Sequence, residues 1–393
     1  MNHDDLDPAV QARLKRLPAP YQAHHGVVPL PPPEHGIELQ PILKSYDDTN
    51  AALARVEVLA GELADPYLIS RILPRREAVS SSSIEGTNST LDELLAMEEG
   101  AGAEATEAAE QVRDYALALD ALVPQARNQG PSIFTTELVR ELHRAVMRGD
   151  KVYRDQPGAL RDRAVWIGGS QDIAYSSYNP APPEDVSATL EESMRYMRRD
   201  TAQGLILRMG IAHAHFEAVH PFGDGNGRVG RLLLPLMMAA EGRIPLYLSP
   251  YIEAHKGRYY GSLKAAQQRL EWHQIAGFIA EAIVGTVDEL MATRDALARL
   301  GDLWRKRRKF RKGSAALRAL DLLPHYPLIA TKRLAGLLDV SMPAAAKGID
   351  TLIEAGILKE RTGQARNRVF AAPEALSIIN RPFGEFPILP RDR

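Results

Sequence analysis

The stretch His220-Pro221-Phe222-Gly223-Asp224-Gly225-Asn226-Gly227-Arg228-Val229-Gly230-Arg231 decides how the rest of this 393-residue chain is read. Gly225 and Gly227 flank Asn226, so the backbone there can approach a ligand closely and present its N–H groups. A helix is predicted to start at Gly225 and to run through the apolar residues to Ala240. Its N-terminus carries unsatisfied N–H groups and the positive end of the helix dipole, and both favour anions. Arg228 and Arg231, three residues apart, fall on one face of the first turn. Asp224 suits Mg²⁺, which takes one or two carboxylates and fills its shell with phosphate oxygens. His220, at the entrance, is a base for an incoming hydroxyl. A glycine-rich turn before a helix is by itself an ordinary cap. Here a base, a carboxylate, an amide, two glycines and two arginines coincide. That set suits attack on a phosphate ester, where positioning and charge neutralisation supply most of the rate.

Outward from this loop the chain reads as helical. Helical spacing of apolar residues recurs over Ala51 to Leu63, with Asp48 or Thr49 as cap, over Leu68 to Leu73, and over Ser80 to Met97 with a break near Gly86. It continues over Glu104 to Leu122 and over Thr135 to Met147, where Leu138, Leu142, Ala145 and Val146 form the buried face. Glu184 to Arg199, Thr201 to Val219, Ile252 to Gln268 and Trp272 to Leu300 follow. Residues before Pro41, including Pro29, Pro31, Pro32 and Pro33, are predicted to be extended or loop. Gly158 to Pro183 differs. Val165-Trp166-Ile167 is a short β-type run, Gly168-Gly169 a turn, and Ile173-Ala174-Tyr175 a return strand, which predicts one small hairpin. Beyond the basic run Arg305 to Lys312, three short helices are predicted at Ala315 to Leu323, Thr331 to Leu338 and Pro343 to Ala355, the last ended by Gly356. Ile357-Leu358-Lys359 and Arg368-Val369-Phe370-Ala371 flank the turn Thr362-Gly363-Gln364. Three helices and a β-wing describe a winged helix.

Composition narrows the classes. A 45% hydrophobic fraction fits a sizeable core, and a formal net charge of −2 gives no global attraction to nucleic acid or membrane. The absence of cysteine excludes disulfides, thiolate zinc sites and a cysteine nucleophile. The N-terminus is acidic and polar, unlike a secretory signal. The most apolar stretch, Leu232 to Ala240, is interrupted by Pro235 and is far short of a membrane span. The expectation is a soluble cytoplasmic protein with no membrane attachment.

The loop is similar to the signature of the Fic family, His-x-Phe-x-(Asp/Glu)-Gly-Asn-Gly-Arg-x-x-Arg, at every fixed position: His220, Phe222, Asp224, Gly225, Asn226, Gly227, Arg228 and Arg231. The resemblance implies a mostly helical core. It implies transfer of AMP from Mg-ATP to Ser, Thr or Tyr hydroxyls of proteins, the chain itself included, with release of pyrophosphate. By the same resemblance His220 is the general base and Asp224 binds Mg²⁺. Asn226 and the neighbouring backbone line an anion hole, and Arg228 and Arg231 hold the β- and γ-phosphates. The Val165-Trp166-Ile167-Gly168 hairpin resembles the family's flap, which registers the target hydroxyl by strand-like pairing. Tyr259-Tyr260 followed by Gln267 lies where relatives place an adenine pocket, although relatives often carry Asn at the last position. The implied division is an N-terminal region over 1–110, a catalytic core over 111–300, and a basic linker with a winged helix over 301–393. A homodimer is compatible with this kind of protein.

Ser81-Ser82-Ser83-Ile84-Glu85-Gly86 is similar to the family's inhibitory pattern, (Ser/Thr)-x-x-x-Glu-(Gly/Asn). Glu85 is expected to pair with Arg231, neutralising one clamp and filling the space of the γ-phosphate. A bidentate carboxylate–guanidinium pair is among the stronger polar contacts. On its own the hexapeptide reads as a helix cap.

Three other readings stand beside this one. His213, His215 and His220, with Glu217 among them, suggest a metal site, but His213 and His215 point to different faces of a helix, whereas helical zinc pairs need a spacing near four. The winged helix suggests DNA binding. Its groove-entering segment, Ser341 to Ala355, offers little beyond Ser341 and Lys347, while Arg361, Arg366 and Arg368 of the wing could meet phosphates. Within the family, some relatives transfer other groups or remove AMP, and Glu85 could position a water for removal.

Overall fold

Residues 1–62, 71–100, 106–169, 172–198, 203–362 and 368–390 are described in this computed structural model, and they are mainly helical. The N-terminal segment, predicted as loop, holds a short helix α1 (Pro8–Gln11), capped by Asp7 with Pro8 in its first turn. Two antiparallel strands follow, β1 (Leu14–Arg16) and β2 (His25–Val27), with Leu14 opposite Val27. Helix α2 (Leu43–Glu62) begins before the predicted Ala51. Thr49, read as its cap, lies inside it and turns its hydroxyl back to the Ser45 carbonyl. Helix α3 (Ile72–Ile84) also begins earlier than the predicted Ser80 and stops at Gly86, where φ is +88° and glycine is favoured. Helix α4 (Leu91–Glu98) opens with a capping box between Thr90 and Glu93.

The central helices are α5 (Glu107–Gln129), α6 (Thr136–Met147), α7 (Pro183–Arg198), α8 (Leu205–Val219) and α9 (Asn226–Ala240). Thr135 caps α6 by accepting the Leu138 N–H, as predicted. The helix predicted from Ile252 is split at His255 into α10 (Ser249–Ala254) and α11 (Lys256–Arg269). Helix α12 (Trp272–Lys306) runs past the predicted end at Leu300. The C-terminal part contains α13 (Ala315–Leu322), β3 (Leu328–Ala330), α14 (Thr331–Leu338), α15 (Met342–Glu354), β4 (Lys359–Glu360), β5 (Val369–Ala371) and α16 (Pro373–Ile379). Its sheet has the antiparallel order β3-β5-β4. Strand β3 and helix α16 were not predicted. Leu68 to Ser70, Glu104, Thr201, Gly363-Gln364 and Arg366 lie outside the described residues.

The hairpin predicted over 165–175 is corrected. Ile167 makes a single antiparallel bridge, and its partner is Tyr178. Ile173–Tyr175, read as the return strand, forms one 3₁₀ turn. The Asp172 side chain accepts the Ala174 N–H at 2.9 Å, so a local side-chain bond wins over a strand ladder.

Helix α8 is buried on every side from Ile206 to Val219, and α9 is buried except at Gly227. Helices with no polar face belong at the centre. Helix α8 packs on α7, α9, α11 and α12, while α9 packs on α5 and α6. The loop between them is therefore anchored at both ends by the core. Helix α3 lies against α5, α9 and α10. The C-terminal part grips α4. Asp92 accepts from Arg361 and from Asn380, each at 2.7 Å, while Glu99 accepts the Ala330 N–H at 3.0 Å and pairs with Arg333 at 2.7 Å. Among the described residues no helix is long and apolar enough to cross a membrane.

Candidate active site

Helix α8 ends where Pro221 follows His220, because the residue before a proline avoids the helical region. His220 turns left-handed, with φ 48° and ψ 62°, a conformation histidine adopts more readily than most residues. Its Nδ1 lies 3.3 Å from the Glu217 carbonyl, a group that can only accept. That contact puts the ring proton on Nδ1 and leaves the Nε2 lone pair as an acceptor. Burial, helped by the nearby Arg161 guanidinium, lowers the imidazole to about 4, so it is neutral at pH 7. Arg161 is itself buried, and burial lowers it to about 10. It donates to the carbonyls of His220 at 2.8 Å, Ala181 at 2.6 Å and Val219 at 3.4 Å. A cation on the last carbonyls of α8 matches the negative end of that helix.

The turn is closed by Asn226. Its Oδ1 accepts the Phe222 N–H at 2.9 Å, and its Nδ2 donates to the Phe222 carbonyl at 3.0 Å. The side chain expected to line an anion hole is thus committed to the turn, which leaves the hole to backbone N–H groups. Gly225 sits at φ +76°, and a Cβ there would lie 2.7 Å from the Met147 sulfur. Helix α9 then starts with no side-chain cap, so its first N–H groups remain for another acceptor. The Glu85 carboxylate lies over them: a Cβ on Gly227 would fall 2.2 Å from its Oε1. Asp224 is exposed, and its Oδ1 accepts the Gly225 N–H at 2.6 Å.

The two arginines diverge, contrary to their predicted joint clamp. Arg231 is 1% exposed and reaches α3. It donates through Nε to the Ser81 hydroxyl at 2.9 Å, and through Nη2 to the Ser81 carbonyl at 2.9 Å and to Glu85 Oε1 at 2.7 Å. Burial raises the Glu85 carboxyl, but Arg231 outweighs it and holds the group below the usual carboxylate range. Arg228 runs the other way, to the end of α6, where it donates to the Val146 carbonyl at 3.4 Å and lies 4.0 Å from Asp150. The side chains leave one turn in different directions because each finds a different acceptor.

One turn before His220, Glu217 is buried, and burial raises it to about 8. Its Oε1 makes no hydrogen bond among the described residues. His213 holds the Gly230 carbonyl at 3.2 Å and the Tyr259 hydroxyl at 2.7 Å, while His215 holds the Ser193 hydroxyl at 2.6 Å. The histidines of the zinc alternative are thus tied to separate partners. Among the described residues no group of three or more His, Asp or Glu is placed to hold a metal ion.

The residues expected to contact adenine sit in different surroundings. Tyr259 is buried against His213 and Phe278, so its ring belongs to the core. Tyr260 keeps 44% of its surface exposed. Gln267 lines a small crevice with Val10, Leu30, Tyr178 and Ala218. Val165, Trp166 and Ile167 are half-buried and Gly168 is exposed, and Trp166 stands edge-on to Tyr21 at 5.3 Å. Of the arginines expected to meet nucleic-acid phosphates, Arg361 pairs with Asp92 and Arg368 with Glu360. Two residues of this region gave no signal in the sequence: Arg161, and His143, which stacks on Phe222. A lone histidine or arginine in an amphipathic stretch reads as ordinary filler.

Residues 133–238 match the Fic/DOC family, and residues 43–122 match the Fic/DOC family N-terminal region. The chain is 34% identical over 131 residues to protein adenylyltransferase fic-1 of Caenorhabditis briggsae, covering 33% of this chain and 23% of that protein. It is 29% identical over 164 residues to protein adenylyltransferase Fic of Drosophila persimilis, covering 41% of this chain and 30% of that protein. The match thus spans less than a third of either relative. A solved Fic family protein from Desulfovibrio desulfuricans G20 superposes with a TM-score of 0.55 at 20% identity, over 86% of this chain and 98% of that one, a likeness of fold. The chain therefore carries a Fic/DOC family domain preceded by the N-terminal region of that family.

Proposed function

We propose that this chain transfers AMP from Mg-ATP to a protein hydroxyl and that Glu85 holds the reaction in check. The observation that carries the reading is the turn itself. It presents the free Nε2 of a neutral His220, the uncapped start of α9 and the Arg231 guanidinium to one place. The hydroxyl oxygen attacks the α-phosphorus of ATP while its proton passes to His220 Nε2. The bond from the α-phosphorus to the bridging oxygen breaks, and pyrophosphate leaves. Backbone N–H groups of the first turn of α9 take the phosphate charge. Asp224 fits Mg²⁺, since an exposed carboxylate beside the phosphate site is what that ion takes from a protein when phosphate oxygens supply the rest. The ion would neutralise charge on the departing phosphates.

In the braked state Glu85 competes with the phosphates for the same donors, since its carboxylate lies over Gly227 and holds Arg231. Release of Glu85 would free Arg231 for the γ-phosphate. The helix order α13-α14-α15 and the small sheet β3-β5-β4 support reading the C-terminal part as a winged-helix module. Helices α5 and α12 run through positions 110 and 300, so the proposed division is one of function within a continuous body. The test is intact-mass measurement of purified protein after incubation with ATP and Mg²⁺. A gain of one AMP per chain supports the reading, and an unchanged mass in both wild type and Glu85→Gly refutes it.

A further inference from the structure

His143 lies on α6, outside the loop, yet three of its contacts bear on it. The ring is fully buried and stacks on Phe222 at 3.8 Å between centroids and 9° between planes. Its Nδ1 accepts the Gly158 N–H at 2.7 Å, and that bond leaves the ring proton on Nε2. Nε2 then donates to the Asp224 carbonyl at 3.1 Å. The ring also fills the space above Gly225, where a Cβ would come within 3.4 Å of it. One imidazole therefore touches the residue before Gly223, the backbone of Asp224 and the glycine that starts α9.

We propose that His143 is a positioning residue for AMP transfer: it fixes the height and rotation of the segment Phe222 to Gly225 and so the placing of Asp224 and of the first N–H groups of α9. The inference rests on the reading of this loop as the catalytic one. The alternative, a histidine that merely fills the core, would need neither a fixed tautomer nor two oppositely directed hydrogen bonds. Displacement of reacting groups by about 1 Å lowers rates roughly a hundredfold, so a loosened tether should appear in kcat before it appears in stability.

The experiment uses the full chain in the Glu85→Gly background, where transfer is measurable. His143→Phe keeps the volume and the stack but removes both hydrogen bonds, while His143→Gln restores an amide N–H for the Asp224 carbonyl. The expected result is a fall in kcat of about tenfold or more for His143→Phe, with KM for ATP changed by less than about threefold, and partial recovery in His143→Gln. Nitrogen NMR of the unsubstituted ring should show a neutral imidazole protonated on Nε2 at pH 7. Unaltered kcat in a folded His143→Phe variant would overturn the inference, and so would a ring protonated on Nδ1. Loss of transfer from the Glu85→Gly parent itself would instead overturn the proposed function, so the two failures are distinguishable.

Discussion

Replacing Glu85 with glycine removes the carboxylate from both of its places at once, over Gly227 and against Arg231. The guanidinium is 1% exposed but the carboxylate side chain is 34% exposed, so water screens part of the pair. A hydrogen bond to a charged group contributes about 1.5–3 kcal/mol net, and partial exposure argues for the lower half of that range. About 2 kcal/mol corresponds to roughly thirtyfold in the balance between braked and open arrangements. Auto-labelling should therefore accelerate by about ten- to thirtyfold in Glu85→Gly. Glu85→Gln separates charge from volume. It keeps an oxygen for Arg231 and still fills the space over Gly227, so its rate should fall between the two. The assay is the initial rate of label incorporation from α-labelled ATP, with thermal melting as a control for folding. Ser81 should continue to hold Arg231 in both variants, which limits the loss of stability. Equal rates in wild type and Glu85→Gly would refute the idea that this carboxylate is the brake.

Three further outcomes are expected. Glu217 keeps its proton to about 8 in the folded chain, whereas an unfolded glutamate loses it near about 4.3; stability from that group is therefore lost as pH rises towards 8, by about 2 kcal/mol between pH 6.5 and 8, and denaturant titrations should show that loss in wild type but not in Glu217→Gln. In Gly225→Ala, a left-handed backbone costs about 1–2 kcal/mol and the new methyl meets the Met147 sulfur, so both the melting temperature and the transfer rate should fall. Arg361→Ala with Arg333→Ala loosens the hold on Asp92 and Glu99, the segment that follows Glu85, leaving the Asn380 and Ala330 bonds in place, and auto-labelling should rise, though less than in Glu85→Gly; no rise in a folded double variant would separate this clasp from the brake.

The loop was legible because its chemistry is local. Glycines, a proline after histidine and arginines three apart each act within one turn, and the turn forms between two helices whose apolar sequences leave them no choice but the centre. The Glu85–Arg231 pair was legible only through resemblance, since nothing in a hexapeptide says which arginine lies 146 positions away across the fold. Where the sequence misled, tertiary partners or local side chains decided. Arg228 turned away from Arg231 because the open carbonyl of Val146 lay at the end of α6. The return strand at 173–175 gave way to a turn capped by Asp172. Tyr259 was drawn into the core by His213, a contact between two helices that no spacing encodes. His143 and Arg161 carried no signal because their partners, the carbonyls of Asp224 and His220, are backbone atoms that every residue possesses.

The central claim is that a protein hydroxyl displaces pyrophosphate at the α-phosphorus with His220 as base. Parallel incubations of Glu85→Gly with ATP labelled at the α- or at the γ-phosphate test it most directly, with Glu85→Gly/His220→Ala as the control. Label should enter protein from the α-position alone and disappear with His220. Label arriving from the γ-position, or undiminished transfer without His220, would contradict it.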